Sequence, residues 1–175
     1  GSNFQVLIDL AKKELFDIDI KILICNNKNA GCVKRAIEEK IPYFICDESS
    51  CKNRDDFEKK IINKLKESDI ELIIMAGGMK IVAEKFINSV RKKIINIHPS
   101  LLPRLRGLNT HFRAIKAKHK YSGCTVHLVN DKLDSGKIIL QKKVKILKND
   151  TPKSLERRIL KLEHKVYVEA LRKII

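Results

Sequence analysis

The spacing of apolar positions along this chain predicts an alternation of helices and strands. Phe4, Leu7, Ile8 and Ala11 share one face of a first helix that Ser2 or Asn3 would cap. The run I-D-I-K-I-L-I-C, Ile18 to Cys25, reads as a strand opening into the polar loop 26–29. Residues 30–40 read as a short helix with Val33, Ala36 and Ile37 inward, and Pro42 to Cys46 as a brief strand. After the polar loop 47–53, residues 54–67 form a long amphipathic helix carrying Phe57, Ile61, Ile62 and Leu65 on its inner face. Ile70 to Met75 is an apolar strand ending in Ala76-Gly77-Gly78-Met79, where two glycines permit either a tight turn or a close ligand. Residues 80–90 are a further helix.

The next run, I-I-N-I-H-P-S-L-L-P-R-L-R-G from Ile94 to Gly107, is the most informative in the chain. Ile94 to Ile97 suits a buried strand, and two prolines and a glycine then forbid its continuation. Thr110 would cap a helix reaching Lys118. Gly123 to Val129 alternates as a strand, 130–136 is turn-rich, and Lys137 to Ile146 is another strand. No helix separates those two strands, so they are expected to pair antiparallel. Asp150 or Thr151 would cap a last helix with Pro152 near its first position. The pattern specifies an α/β, Rossmann-like fold: a mostly parallel open sheet, an antiparallel pair in the C-terminal half, and helices on both faces.

Composition narrows this further. A chain of 175 residues with 43% apolar and 33% charged residues reads as one globular domain. No apolar run is long enough for a membrane span, and no leader pattern opens the sequence. A cytoplasmic protein is the simplest reading. Cys25, Cys32, Cys46, Cys51 and Cys124 are odd in number and lack metal-ligand spacing, so reduced thiols and no metal are expected. The net charge of +16 favours anionic partners, phosphates or nucleic acid. Lysines scattered along the whole chain, the absence of Trp and only 5% aromatic residues argue against a nucleic-acid platform.

The candidate chemistry lies at the end of the central strand. Asn96 and His98 alternate onto one face of it, where ligands meet open α/β sheets. Asp134, from the later turn, would join them. A carboxylate orients an imidazole and favours its charged form. Amide and imidazole donors could then stabilise an oxyanion while the acid manages a proton. With no G-x-S-x-G elbow and no cysteine beside this histidine, direct acyl transfer to an amine fits better than a covalent acyl-enzyme.

N-I-H-P-S-L-L-P at 96–103 and G-L-N-T-H at 107–111 resemble the folate-dependent formyltransferases. Within them the match is nearest to the branch that formylates glycinamide ribonucleotide in purine synthesis. It continues through Gly123-Cys124-Thr125-Val126-His127, the 131–136 turn, Ile139-Leu140-Gln141, Glu163-His164 and Tyr167. Gly1-Ser2-Asn3 matches the end of that family's phosphate loop, which implies that the family's first strand is missing from this sequence.

The resemblance implies that Asn96, His98 and Asp134 are catalytic. It also implies that Gly1, Ser2, Asn3, Gly77 and Glu163 bind glycinamide ribonucleotide. Arg54, Met79, Lys80, Ile81, Val82, Asn96 and residues Asn130, Asp131, Lys132, Leu133 and Asp134 would bind 10-formyltetrahydrofolate, the co-substrate. Gly78 and Lys80 depart from the bulky residue and arginine usual there. The implied partners are these small molecules, with no nucleic acid and no membrane, for a monomer or homodimer forming a single catalytic domain over 1–175. Arg104-Leu105-Arg106-Gly107 is similar to the methionyl-tRNA formyltransferase branch, and formyltetrahydrofolate hydrolase is a further alternative. Those branches usually add a C-terminal barrel or an N-terminal regulatory domain. A non-enzymatic basic module would leave Asn96, His98 and Asp134 without a task.

Overall fold

A computed structural model of the chain describes residues 1–13, 17–77 and 84–175. These fall into two compact units, Gly1–Ile73 with Lys85–Lys92, and Ile74–Glu84 with Lys93–Ile175.

In the first unit, α1 (Ser2–Ala11) buries Phe4, Leu7, Ile8 and Leu10, and packs on α2 (Gly31–Glu38), which buries Val33 and Ala36. The N-cap of α1 is Gly1, with no side-chain cap bond. The helix thus starts one or two residues earlier than a cap at Ser2 or Asn3 would place it, and both lie inside its first turn. Ile37, expected inward, is 57% exposed. It borders an open apolar hollow with Ile22, Ile41, Pro42 and Tyr43, which explains its place in the pattern without full burial.

Strand β1 (Leu23–Cys25) pairs parallel with β2 (Tyr43–Ile45). It is shorter than Ile18–Cys25 because the ladder begins where Leu23 N–H donates to the Pro42 carbonyl. Pro42 has no N–H to return. Helix α3 (Arg54–Glu67) has the expected bounds, set by Asn53, whose side chain accepts from Asp56 N–H. It buries Ile62 and Leu65, with Phe57 and Ile61 half-buried. The start of β3 (Leu72–Met75) and most of α4 (Glu84–Val90) complete this unit. The expected helical residues 80–83 lie outside the described residues.

The second unit holds the end of β3, β4 (Lys93–His98), β5 (Tyr121–Leu128) and β6 (Ile138–Lys145), in the sheet order β3-β4-β5-β6. β5 and β6 pair antiparallel as expected. The antiparallel part also takes in β4, which pairs antiparallel with β5. Helix α5 (Thr110–Lys116) is preceded by Asn109 in a left-handed conformation, so Asn109 takes the cap position expected of Thr110. Helix α6 (Pro152–Leu171) starts at Thr151, whose hydroxyl accepts from Ser154 N–H in a reciprocal capping box.

Leu155, Ile159, Val166, Tyr167, Ala170 and Leu171 of α6 are fully buried, and the helix packs on β5 and β6. Each large apolar side chain so buried contributes about 1.5–3 kcal/mol. Ile95, Ile97, Cys124 and Val126 are buried on the face of β4 and β5 opposite Asn96 and His98.

Candidate active site

Strand alternation puts Asn96 and His98 on one face of β4, and both are buried. The antiparallel register sets His127 opposite Asn96 and Thr125 opposite His98. After His98 the chain turns at once, Ser100 N–H donating to the His98 carbonyl at 2.8 Å.

Buried Thr125 braces this turn. Its hydroxyl donates to the Ser100 carbonyl at 2.7 Å and accepts from Leu102 N–H at 3.2 Å and Gln141 Nε2 at 2.8 Å. Gln141 Nε2 also donates to the Leu102 carbonyl at 3.0 Å. A proline-rich loop with few ladder partners is thereby held by two side chains from neighbouring strands.

Asp134 sits at the end of the 130–134 loop with φ +45. Its Oδ2 lies 3.3 Å from His98 Nδ1 and accepts from Gly107 N–H at 2.8 Å. Its Oδ1 faces His127 Nε2 at 3.8 Å. On the far side of the ring, His98 Nε2 donates to the Leu105 carbonyl at 2.9 Å. Both nitrogens of His98 therefore face acceptor oxygens.

Asn96 Nδ2 lies 3.4 Å from His127 Nε2, whereas Asn96 Oδ1 is buried with no hydrogen-bond partner. Burial pushes His127 below the ordinary histidine range, against opposing pulls from the Leu128 carbonyl and Asp134, with His98 adding to the lowering. An amide with one spare N–H and an orphaned carbonyl, beside a paired imidazole, can hold an oxyanion and accept from an incoming amine. Burial pushes the Cys124 thiol up to about 12, too high for a nucleophile at neutral pH. Among the described residues, no group of three or more His, Cys, Asp or Glu could hold a metal.

The structure thus brings Asn96, His98 and Asp134 together, with His127 among them. Asn130 shapes their loop, its Oδ1 accepting from Ser135 Oγ at 2.9 Å and Lys132 N–H at 3.2 Å. Asp131, Lys132 and Leu133 are exposed on it. Also in this unit, Glu163 is buried on α6 and Gly77 follows β3 at φ +101. Tyr167 of α6 donates its hydroxyl to the Met75 carbonyl just before that glycine.

In the other unit, Gly1 is exposed, Ser2 half-buried and Asn3 buried at the start of α1. A Cβ on Gly1 would stand 2.6 Å from Cys32 N, so this close approach requires glycine. Arg54 opens α3 and pairs with Glu58 at 2.9 Å. Met79, Lys80, Ile81 and Val82, with Gly78, lie outside the described residues. His127 was not among the expected site residues, because only strand register reveals that it faces Asn96.

A family model described as formyl transferase matches residues 1–171. The chain belongs to the formyl transferase family. A phosphoribosylglycinamide formyltransferase of Bacillus subtilis is 38% identical over 175 residues, covering 100% of this chain and 90% of that protein. The trifunctional purine biosynthetic protein adenosine-3 of Homo sapiens is 36% identical over 171 residues, where this formyltransferase spans 98% of its own length and 17% of the human chain. The crystal structure of the phosphoribosylglycinamide formyltransferase from Bacillus halodurans superposes with a TM-score of 0.95 at 32% identity. That match covers 99% of this formyltransferase and 90% of the solved chain. Among the described residues, no helix of the formyltransferase is long and apolar enough to cross a membrane.

Proposed function

We propose that this formyltransferase moves the formyl group of 10-formyltetrahydrofolate to the glycyl amine of glycinamide ribonucleotide, a step of purine biosynthesis. The observation that carries the chemistry is the close placement of His98, Asp134 and Asn96 at one strand end. The acceptor is read from the relatives, which favour glycinamide ribonucleotide over water or charged tRNA.

The glycyl amine attacks the formyl carbon, and a C–N bond forms as the carbonyl electrons move to oxygen. The spare N–H of Asn96 and the Nε2–H of His98 hold that oxyanion. To do so His98 exchanges the Leu105 carbonyl for the formyl oxygen, while Asp134 keeps its hold on Nδ1. The orphaned Asn96 Oδ1 accepts from the amine and orients it. Asp134, through an ordered water, relays the proton from the attacking nitrogen to N10 of the folate. The bond from the formyl carbon to N10 then breaks, leaving tetrahydrofolate and the formylated ribonucleotide.

The helix N-terminus at Gly1-Ser2-Asn3 suits the ribonucleotide phosphate. Glu163 accepts from the ribose hydroxyls, and Gly77 gives the substrate close access to backbone. Arg54, residues 79–82 and 130–134 bind the folate. Residues 1–175 act as one catalytic domain, as a monomer or homodimer in the cytoplasm. The test is tetrahydrofolate release from 10-formyltetrahydrofolate with glycinamide ribonucleotide, with water alone and with charged initiator tRNA. Release with the ribonucleotide alone supports the reading; release with water or tRNA in its place overturns it.

A further inference from the structure

His127 is 2% exposed and sits among three groups of the reaction centre, yet no step above uses it. Its Nδ1 lies 2.8 Å from the Leu128 carbonyl. A carbonyl only accepts, so Nδ1 carries a hydrogen. In the neutral ring Nε2 is then a bare acceptor, and the groups before it are Asn96 Nδ2 at 3.4 Å and Asp134 Oδ1 at 3.8 Å. Of these two, among the described residues, the amide of Asn96 is the one that can donate to it.

A second observation is independent of these distances. The register between β5 and β6 shifts at Val126/His127, beside this side chain. Val126 pairs with Leu140 and His127 with Ile138, so the extra residue is Ile139 of β6, and irregularities of this kind gather next to active sites.

Resting on the functional reading above, we propose that neutral His127 is a positioning residue that accepts from Asn96 and fixes the direction of its amide. With one Nδ2 hydrogen taken by His127, the other and the orphaned Oδ1 are held toward the reactants. An amide turned over would present oxygen to the oxyanion instead of a donor. The neutral ring also leaves Asp134 to His98. A charged His127 would have a hydrogen on Nε2, lose Asn96 and compete for the Asp134 carboxylate.

Two replacements separate positioning from bulk. His127→Gln places a carbonyl oxygen near the site of Nε2, and His127→Leu fills similar volume with no acceptor. In the tetrahydrofolate-release assay, His127→Leu should lose about 10²-fold in kcat, the scale of a misplaced reacting group, with KM for both substrates nearly unchanged. His127→Gln should recover most of that loss. A His127→Leu enzyme that melts like wild type and keeps its kcat overturns the proposal, as does a folded His127→Gln as impaired as His127→Leu.

Should neither variant fold, nitrogen NMR of the wild-type ring decides. A neutral ring protonated on Nδ1 at pH 7 supports the proposal, and an Nε2–H tautomer or a charged ring overturns it. Wild-type protein that releases no tetrahydrofolate with glycinamide ribonucleotide would instead sink the functional reading, leaving the NMR result to judge the placement of His127 alone.

Discussion

His98 Nδ1 stands 3.3 Å from Asp134 Oδ2, and the same carboxylate oxygen is held by Gly107 N–H at 2.8 Å. The acid is thus fixed by backbone before it meets the ring. Asp134→Asn keeps an oxygen for Gly107 but removes the charge beside His98. It is expected to lower kcat by roughly 10²–10⁴ while the fold survives. His98→Ala should fall as far. Measured turnover near wild type in either variant would contradict the assigned roles.

The Thr125 hydroxyl satisfies the Ser100 carbonyl, Leu102 N–H and Gln141 Nε2 together. Thr125→Val keeps the shape and takes this partner from the Ser100 carbonyl and Leu102 N–H, while Gln141 Nε2 keeps the Leu102 carbonyl. The expected destabilisation is about 1–3 kcal/mol, read from urea unfolding. Thr125→Ser, which retains the hydroxyl, should lose less. An unchanged urea midpoint in Thr125→Val would show that the brace is unimportant.

Gly136 closes the loop that carries Asp134, and a Cβ there would lie 1.7 Å from the Leu128 carbonyl oxygen. That carbonyl is also the partner of His127 Nδ1. Gly136→Ala must push backbone aside, at a cost of about 1–3 kcal/mol. For a chain of this size that lowers Tm by about 2–4 °C per kcal/mol, and calorimetry reads it directly. A wild-type Tm would mean the strand end yields freely.

Burial lowers the titration of His111, His127 and His164 below the ordinary value of 6.5. Above that value the ring is neutral in both folded and unfolded chains, and no penalty arises. As pH falls below it, the unfolded chain takes up protons that the folded one refuses, so stability drops until the depressed folded value is reached. Melts at pH 7.5 and pH 5.5 should show the lower Tm in acid. His164→Gln should flatten part of that difference. The same slope in wild type and variant would exclude His164 from it.

Much of the fold was legible because its signals are local. Helix α3 matches its expected bounds, since Asn53 and the apolar stripe both act within a few residues. The end of β4 was equally readable, because Pro99 and Pro103 cannot continue a strand. Strand β1 was overextended, since its length depends on a partner that begins only at Pro42. Ile37 was misplaced because its stripe runs onto an open hollow, which periodicity cannot distinguish from a core.

Sequence alone determined the α/β class and the catalytic candidates Asn96, His98 and Asp134, because alternation and turn chemistry act along the chain. Tertiary structure decided what those groups touch: Leu105 and Asp134 on either side of His98, and His127 opposite Asn96. Those contacts come from strand register and loop closure between distant segments, which one-dimensional spacing does not encode.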